Sequence, residues 1–214
     1  MSDFIAAACV GVAQVTLGHP FDTTKVLMQN NRKWFGLPFK NYYRGWRFPL
    51  CSAVILNGIT FPTVERTKPY TQNSFLSGCI AGIAITPIVF CFDVGKIRQQ
   101  TQQSITIKTI FNARGRYSTF ARESLASSIY FGSYFMCRDF GWHPLLSGGI
   151  AGLCNWTFTY PIDVIKSRQM AQNLTIKQAL TMGNLWRGFP ICAARAFIVN
   201  AVDFWVYESV KKYL

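Results

Sequence analysis

Sparse charge divides the chain into apolar stretches. Residues 4–21, 48–64, 69–92 and 140–162 contain no Asp, Glu, Lys or Arg. Each falls within or near the roughly 17–25 residues that cross a bilayer as a helix. Two further apolar regions, 117–137 and 189–207, carry charges inside them: Arg122 and Glu123 in the first, Arg195 and Asp203 in the second. The pattern predicts six spans, with both chain ends on one side of the membrane.

Composition agrees with a membrane class. Half of the 214 residues are apolar, 14% are charged and the net charge is +13. A soluble chain this apolar would have few charges left to cover its surface. Of the 22 Lys and Arg residues, 15 fall within 22–47, 91–116 and 161–187, where the acids are Asp22, Asp93 and Asp163. These segments follow the odd-numbered spans and share one face, which topology rules place toward the inner compartment. A nucleic-acid surface is the alternative reading of such charge, but apolar spans flank every basic segment and argue against it. The seven cysteines match neither a metal site nor a disulfide framework. No metal, cofactor or catalytic constellation is expected, and the chain does not read as an enzyme. Met1-Ser-Asp leads into the first span without a basic leader.

One phrase occurs three times: Pro20-Phe-Asp22-Thr-Thr-Lys25, Cys91-Phe-Asp93-Val-Gly-Lys96 and Pro161-Ile-Asp163-Val-Ile-Lys166. A fixed period of about 70 residues marks a repeat architecture. It divides a single domain into repeats at 1–70, 71–141 and 142–214. Proline interrupts the helical ladder, so each phrase reads as a bending turn after an odd span, with Asp and Lys on one face. Three such helices around an axis would join Asp22, Asp93 and Asp163 to Lys96, Lys166 and Lys25 in some rotational order. An interfacial snorkelling pair is the simpler reading of any single copy.

Other features repeat in step. Small residues four apart, at Ala7 and Gly11, Gly78 and Gly82, and Gly148 and Gly152, predict close helix contacts. The landmarks Tyr43-Arg-Gly45, Ala113-Arg-Gly115 and Trp186-Arg-Gly188 precede the even spans, with room for one short helix in each connector. Even spans end in Glu65-Arg-Thr-Lys68, Phe135-Met-Cys-Arg138 and Glu208-Ser-Val-Lys211. Phe135 stands where an acid is expected.

Together these motifs resemble the mitochondrial carrier family across essentially the whole chain. The resemblance implies an all-α membrane protein, with six transmembrane helices in a threefold pseudosymmetric bundle and short matrix-side helices. It implies alternating-access antiport in the mitochondrial inner membrane, although relatives of this kind can occupy other organelle membranes. Asp22, Lys25, Asp93, Lys96, Asp163 and Lys166 would form the matrix gate, with Gln29 and Gln100 bracing it from below and Met170 lacking that role. Glu65, Lys68, Arg138, Glu208 and Lys211 would form the cytosolic gate. The implied partners are a small-molecule substrate and a membrane lipid such as cardiolipin; the expected state is a monomer that binds no nucleic acid. Departures are Cys91 in place of a kink proline, Phe135, Met170 and short connectors, which suggest weak, easily opened gates.

Seven residues past each landmark glycine stand Ser52, Arg122 and Arg195. Steps of four, which keep one helical face, reach Leu56, Ala126 and Val199, then Thr60, Tyr130 and Asp203. These positions are expected to line a central cavity. Arginine near mid-membrane is costly unless it faces water, a partner or a ligand. Arg122 and Arg195 could hold a carboxylate bidentately, while Glu123 and Asp203 receive a cationic group. Adjacent residues do not face each other on a helix, so Arg122 is not expected to pair with Glu123. His19 either lines the pore or bonds a backbone carbonyl. The first odd span, and Arg195-Ala-Phe with Asn200-Ala, are similar to the carnitine and basic amino acid branch. That branch implies an amino acid or carnitine-like zwitterion as cargo. A nucleotide or other phosphorylated anion is the alternative, and a transport-inactive interaction protein a third.

Overall fold

The computed structural model describes residues 2–195. Among them the fold is entirely helical: α1 (Ser2–Gln29), α2 (Phe39–Tyr42), α3 (Arg47–Thr71), α4 (Ser74–Gln100), α5 (Ile107–Phe111), α6 (Arg116–Asp139), α7 (Pro144–Gln172) and α8 (Ile176–Thr181). Residues 189–195 begin a further helical stretch. The expected positions Val199, Asp203, Glu208 and Lys211 lie outside the described residues, and for residues 2–14, Ala7 and Gly11 among them, only the helical backbone is described.

Five long helices fall on five of the predicted spans, and α2, α5 and α8 occupy the three connectors. α1, α3, α4, α6 and α7 run 24 to 29 residues each, enough to cross about 30 Å of hydrocarbon. Among the described residues one of them, α4, is also apolar enough by composition alone. The others carry polar side chains that the fold turns inward: Glu123, Ser124 and Ser127 of α6 are buried, as are Ser147, Thr159 and Lys166 of α7. Leu125, Met136, Leu146, Leu153 and Phe158 face outward instead. Apolar outside and polar inside suits lipid as solvent and inverts the order expected in water.

Two boundaries differ from the charge pattern. The uncharged run 69–92 is not one span, because α3 ends at Thr71 and α4 starts at Ser74. Gln72 turns the chain with a left-handed φ of 51°, and the Asn73 side chain accepts from the Phe75 and Leu76 N–H groups. Neither residue is charged, so charge could not reveal this break. The Pro-x-Asp-x-x-Lys phrase is likewise no turn: Pro20 and Pro161 lie inside α1 and α7, which continue to Gln29 and Gln172. Pro20 has no N–H to give the Thr16 carbonyl, and the Tyr43 hydroxyl donates to it at 3.0 Å instead.

The landmark glycines have a backbone reason. Gly45, Gly115 and Gly188 adopt φ of 84°, 112° and 89°, a region that L side chains rarely enter. Each also lies against an odd helix of another copy: Gly45 on the Lys96 carbonyl, Gly115 on Met170 and Gly188 near the Lys25 carbonyl.

Gly78 and Gly82 bring α4 against α6, where an added Cβ would collide with the backbone at Ser127–Ser128 and Glu123–Ser124. Gly148 and Gly152 meet no described atom within 4 Å, so the contact expected of them is not seen among the described residues. Gly82→Ala is expected to lower stability by about 1–3 kcal/mol through overpacking, read as a lower thermal unfolding midpoint in detergent. An unchanged midpoint would refute the close approach.

Candidate functional site: an ion-pair ring beneath a central cavity

The three Asp-Lys phrases meet. Lys96 Nζ lies 2.8 Å from Asp22 Oδ2, Lys166 Nζ 2.5 Å from Asp93 Oδ2, and Lys25 Nζ 2.7 Å from Asp163 Oδ2. The acid of each copy takes the base of the next, linking α1, α4 and α7 in a closed cycle. A carboxylate or ammonium placed alone at this depth would lose several kcal/mol of hydration, so each ion depends on its partner.

Two arginines from the even helices join the ring. Arg195 Nε stands 2.8 Å from Asp22 Oδ1. Arg122 Nε is 3.8 Å from Asp163 Oδ1, and its Nη1 donates to both oxygens of Glu123 at 2.9 Å. Glu123 in turn accepts from Lys166 Nζ at 3.0 Å. The expectation that Arg122 and Glu123 stay apart is therefore wrong. Their backbones diverge, but the long guanidinium folds back toward a carboxylate that Lys166 already draws inward. Among the described residues five cations share four carboxylates here, an excess of one positive charge.

A cavity of about 280 Å³ opens around the ring; its lining includes all six ring residues, Leu56, Arg122, Glu123, Trp156 and Arg195 and, past the lysines, Gln29 and Ile97. A second cavity of about 220 Å³ brings Thr60, Ala126, Tyr130 and Asn155 together with Arg122 and Glu123. Ser52 lines neither; its hydroxyl donates to the Pro49 carbonyl of its own helix at 3.2 Å. His19 is buried away from both cavities, with Nε2 2.9 Å from the Arg44 carbonyl. Of its two readings the backbone bond is the one observed.

Counting along even helices could not find Trp156 and Asn155, which sit on α7. Trp156 offers its ring face to Lys25 Nζ at 4.2 Å and to Arg122 at 5.4 Å, holding both cations without adding a charge. One aromatic among several in an uncharged run, with Val15 and Thr86 at the matching places of the other copies, gave no signal.

Beneath the ring, Gln29 Nε2 donates to Asp163 Oδ2 at 3.3 Å and lies 3.4 Å from the Tyr160 hydroxyl. Gln100 departs from the expected brace: its amide reaches the Thr23 hydroxyl at 3.1 Å rather than a ring carboxylate. Met170 packs in an apolar cluster with Val26, Phe90 and Val94. Toward the other end of the helices, Lys68 Nζ sits 3.3 Å from the Phe135 ring centroid, so the residue replacing an acid still holds the cation. Glu65 is exposed, and Arg138 Nη1 donates to the Trp142 carbonyl at 2.6 Å. Among the described residues no His, Cys, Asp or Glu group could hold a metal.

Residues 139–214 match the family model described as mitochondrial carrier protein. The chain is 30% identical to the mitochondrial basic amino acids transporter of Bos taurus, over 99% of this chain and 91% of that protein. It is 27% identical to solute carrier family 25 member 45 of Homo sapiens, over 100% and 99%. With the mitochondrial arginine transporter BAC2 of Arabidopsis thaliana it shares 28% identity, over 96% and 89%. The alignment to the bovine protein runs to 274 positions against 214 residues here, so that relative carries segments this chain lacks.

A double-mutant cycle with Asp22→Asn and Lys96→Met should give a coupling of about 1–3 kcal/mol in thermal unfolding. Asp22 with Lys166, which are not paired, should couple near zero. Equal coupling in the two cycles would contradict the ring's order.

Proposed function

The chain belongs to the mitochondrial carrier family, and from that premise we propose an antiporter of the mitochondrial inner membrane whose cargo is an amino acid or carnitine-like zwitterion. Its architecture in this reading is six spans in a threefold pseudosymmetric bundle, with alternating access to the central cavity. The Asp-Lys ring is the gate on the face of the basic connectors, the matrix face. The layer of Lys68, Phe135 and Arg138 belongs to the opposite gate.

One observation carries the cargo reading. Arg122, Glu123 and Arg195 line the cavity and each reaches the ring, Arg122 at Asp163, Glu123 at Lys166 and Arg195 at Asp22. A cargo carboxylate that occupies Arg195 and Arg122 competes with Asp22, Asp163 and Glu123 for the same guanidinium groups. A cargo ammonium competes with Lys166 and Arg122 for Glu123. Cargo shifts a conformational equilibrium only by binding one state better than the other. Replacing ring contacts is such a difference, because the parted ring leaves both guanidinium groups to the cargo. No covalent step is involved. A phosphorylated anion would use the positive excess, but Glu123, bonded to Arg122 and Lys166, opposes a dianion and favours a zwitterion. The names of the basic amino acid and arginine transporters among the relatives point to the same class.

Exchange in proteoliposomes tests this reading across amino acids, acylcarnitines and nucleotides. Arg122→Ala is expected to reduce amino acid exchange about 10- to 100-fold, the worth of a charged hydrogen bond. Lys177→Ala, exposed on α8 and lining neither cavity, should leave exchange near wild type. Equal loss in the two variants, or exchange of nucleotides alone, would overturn the assignment.

A further inference from the structure

A second cycle of bonds lies beyond the ion pairs. Arg32 Nη1 donates to the Thr101 carbonyl at 2.6 Å, Gln103 Nε2 to the Ala171 carbonyl at 2.5 Å, and Gln172 Nε2 to the Asn30 carbonyl at 3.1 Å. The three acceptors occupy one position in the repeat, five residues after Lys25, Lys96 and Lys166. The bonds run from copy one to two, two to three, and three to one, the same neighbours that the ion pairs join. Five residues along a helix place this layer about 7.5 Å beyond the lysines.

Local structure explains the layer. The last carbonyls of a helix have no partner within it, and here the neighbouring helix supplies the donor. Asn31 and Gln102, with φ of 55° and 59°, end α1 and α4 by reversing the chain. The Arg32 and Gln103 N–H groups then bond back to the Leu27 and Arg98 carbonyls, a helix-ending motif that throws the next side chain outward. In the third copy the left-handed residue is Asn173, one place later, and the donor is the residue before it. The acceptors Asn30, Thr101 and Ala171 are all buried, so water does not readily replace a lost donor. Gln172 also lies 3.3 Å from the Asn30 side-chain oxygen, and Asn30 Nδ2 donates to Ser167 Oγ at 2.9 Å.

We propose that Arg32, Gln103 and Gln172 form a second closing layer, a hydrogen-bonded collar that clamps the ends of α1, α4 and α7 on the matrix side of the ring. They are positioning residues, remote from the cargo. The collar rests on the reading of the ring as a gate: the helix ends cannot separate without breaking all three bonds. The ion pairs respond to charged cargo and the collar does not. It therefore sets a charge-independent threshold that cargo binding must exceed before the matrix side opens.

The test uses Gln103→Glu and Gln172→Glu, which keep side-chain size while removing the donor, together with Arg32→Ala. A reporter cysteine replaces Ile97 of the cavity wall in a background whose native cysteines are changed to serine or alanine. A membrane-impermeant maleimide is then applied to the matrix face in the absence of cargo. Labelling should rise about fivefold for each bond removed, and Arg32→Lys should return it toward the parent. Labelling within twofold of the parent in the Gln103→Glu/Gln172→Glu double variant would overturn the collar. Hydrogen exchange of the native-cysteine protein gives a second readout. A collar predicts that any one substitution lowers protection in the last turns of all three helices. Loss confined to the helix whose carbonyl lost its donor would mean ordinary capping and would also overturn the proposal. Neither readout needs cargo. If wild type exchanges no amino acid while labelling still shifts, the cargo reading fails and the collar stands.

Discussion

The closed cycle of three ion pairs is the constraint on which the rest of the architecture depends. Each of Asp22, Asp93 and Asp163 sits at the end of a long uncharged run, where an isolated ion is costly. Pairing across copies removes that cost only if three helices reach one level at one distance from a common axis. The close packing at Gly78 and Gly82, the left-handed glycines before α3, α6 and residue 189, and the Tyr43 bond to the Thr16 carbonyl all hold helices at that level. A single pair could be accommodated by a loose interface; a cycle of three cannot.

The same cycle explains where the two arginines find their partners. Arg122 and Arg195 lie at the depth where a free guanidinium is least tolerable, and the nearest carboxylates are those of the ring. Arg195 therefore rests on Asp22, and Arg122 is shared between Glu123 and Asp163. Recognition and closure draw on one set of charges in the proposed mechanism. Coupling between them needs no relay through the protein, because cargo and ring compete for the same atoms.

Much of this was legible in the sequence because it rests on side chains repeated at fixed spacing. Asp, Lys and Gly recur in every copy, so their count along the chain identified the ring and the helix starts. Counting seven past each glycine reached Arg122 and Arg195, both on the cavity wall, but also Ser52, whose hydroxyl turned to its own helix. Position on a face does not determine where a short polar side chain finds its partner. The rule that adjacent residues point apart failed at Arg122 and Glu123, where side chains are long enough to defeat the backbone direction. Trp156 escaped notice because it occurs in one copy. The collar escaped for a different reason. Its acceptors are backbone carbonyls, which leave no mark in sequence, and its donors are an arginine and two glutamines at slightly different registers.

Where the symmetry lapses, neutral contacts replace charge. Phe135 stands in an acid's place and receives Lys68 on its ring face; Met170 stands in a glutamine's place and fills an apolar cluster. Trp156 steadies Lys25 and Arg122 in the same way. Each substitution keeps a cation or a helix in position without burying another carboxylate, which would compete for the lysines of the ring. In the proposed mechanism, an additional acid near Lys25 or Arg122 would offset the positive charge that draws a carboxylate to the cavity. Among the described residues the departures from the repeat therefore act in one direction: they add no carboxylate to Asp22, Asp93, Asp163 and Glu123, the set that cargo displaces in the proposed mechanism.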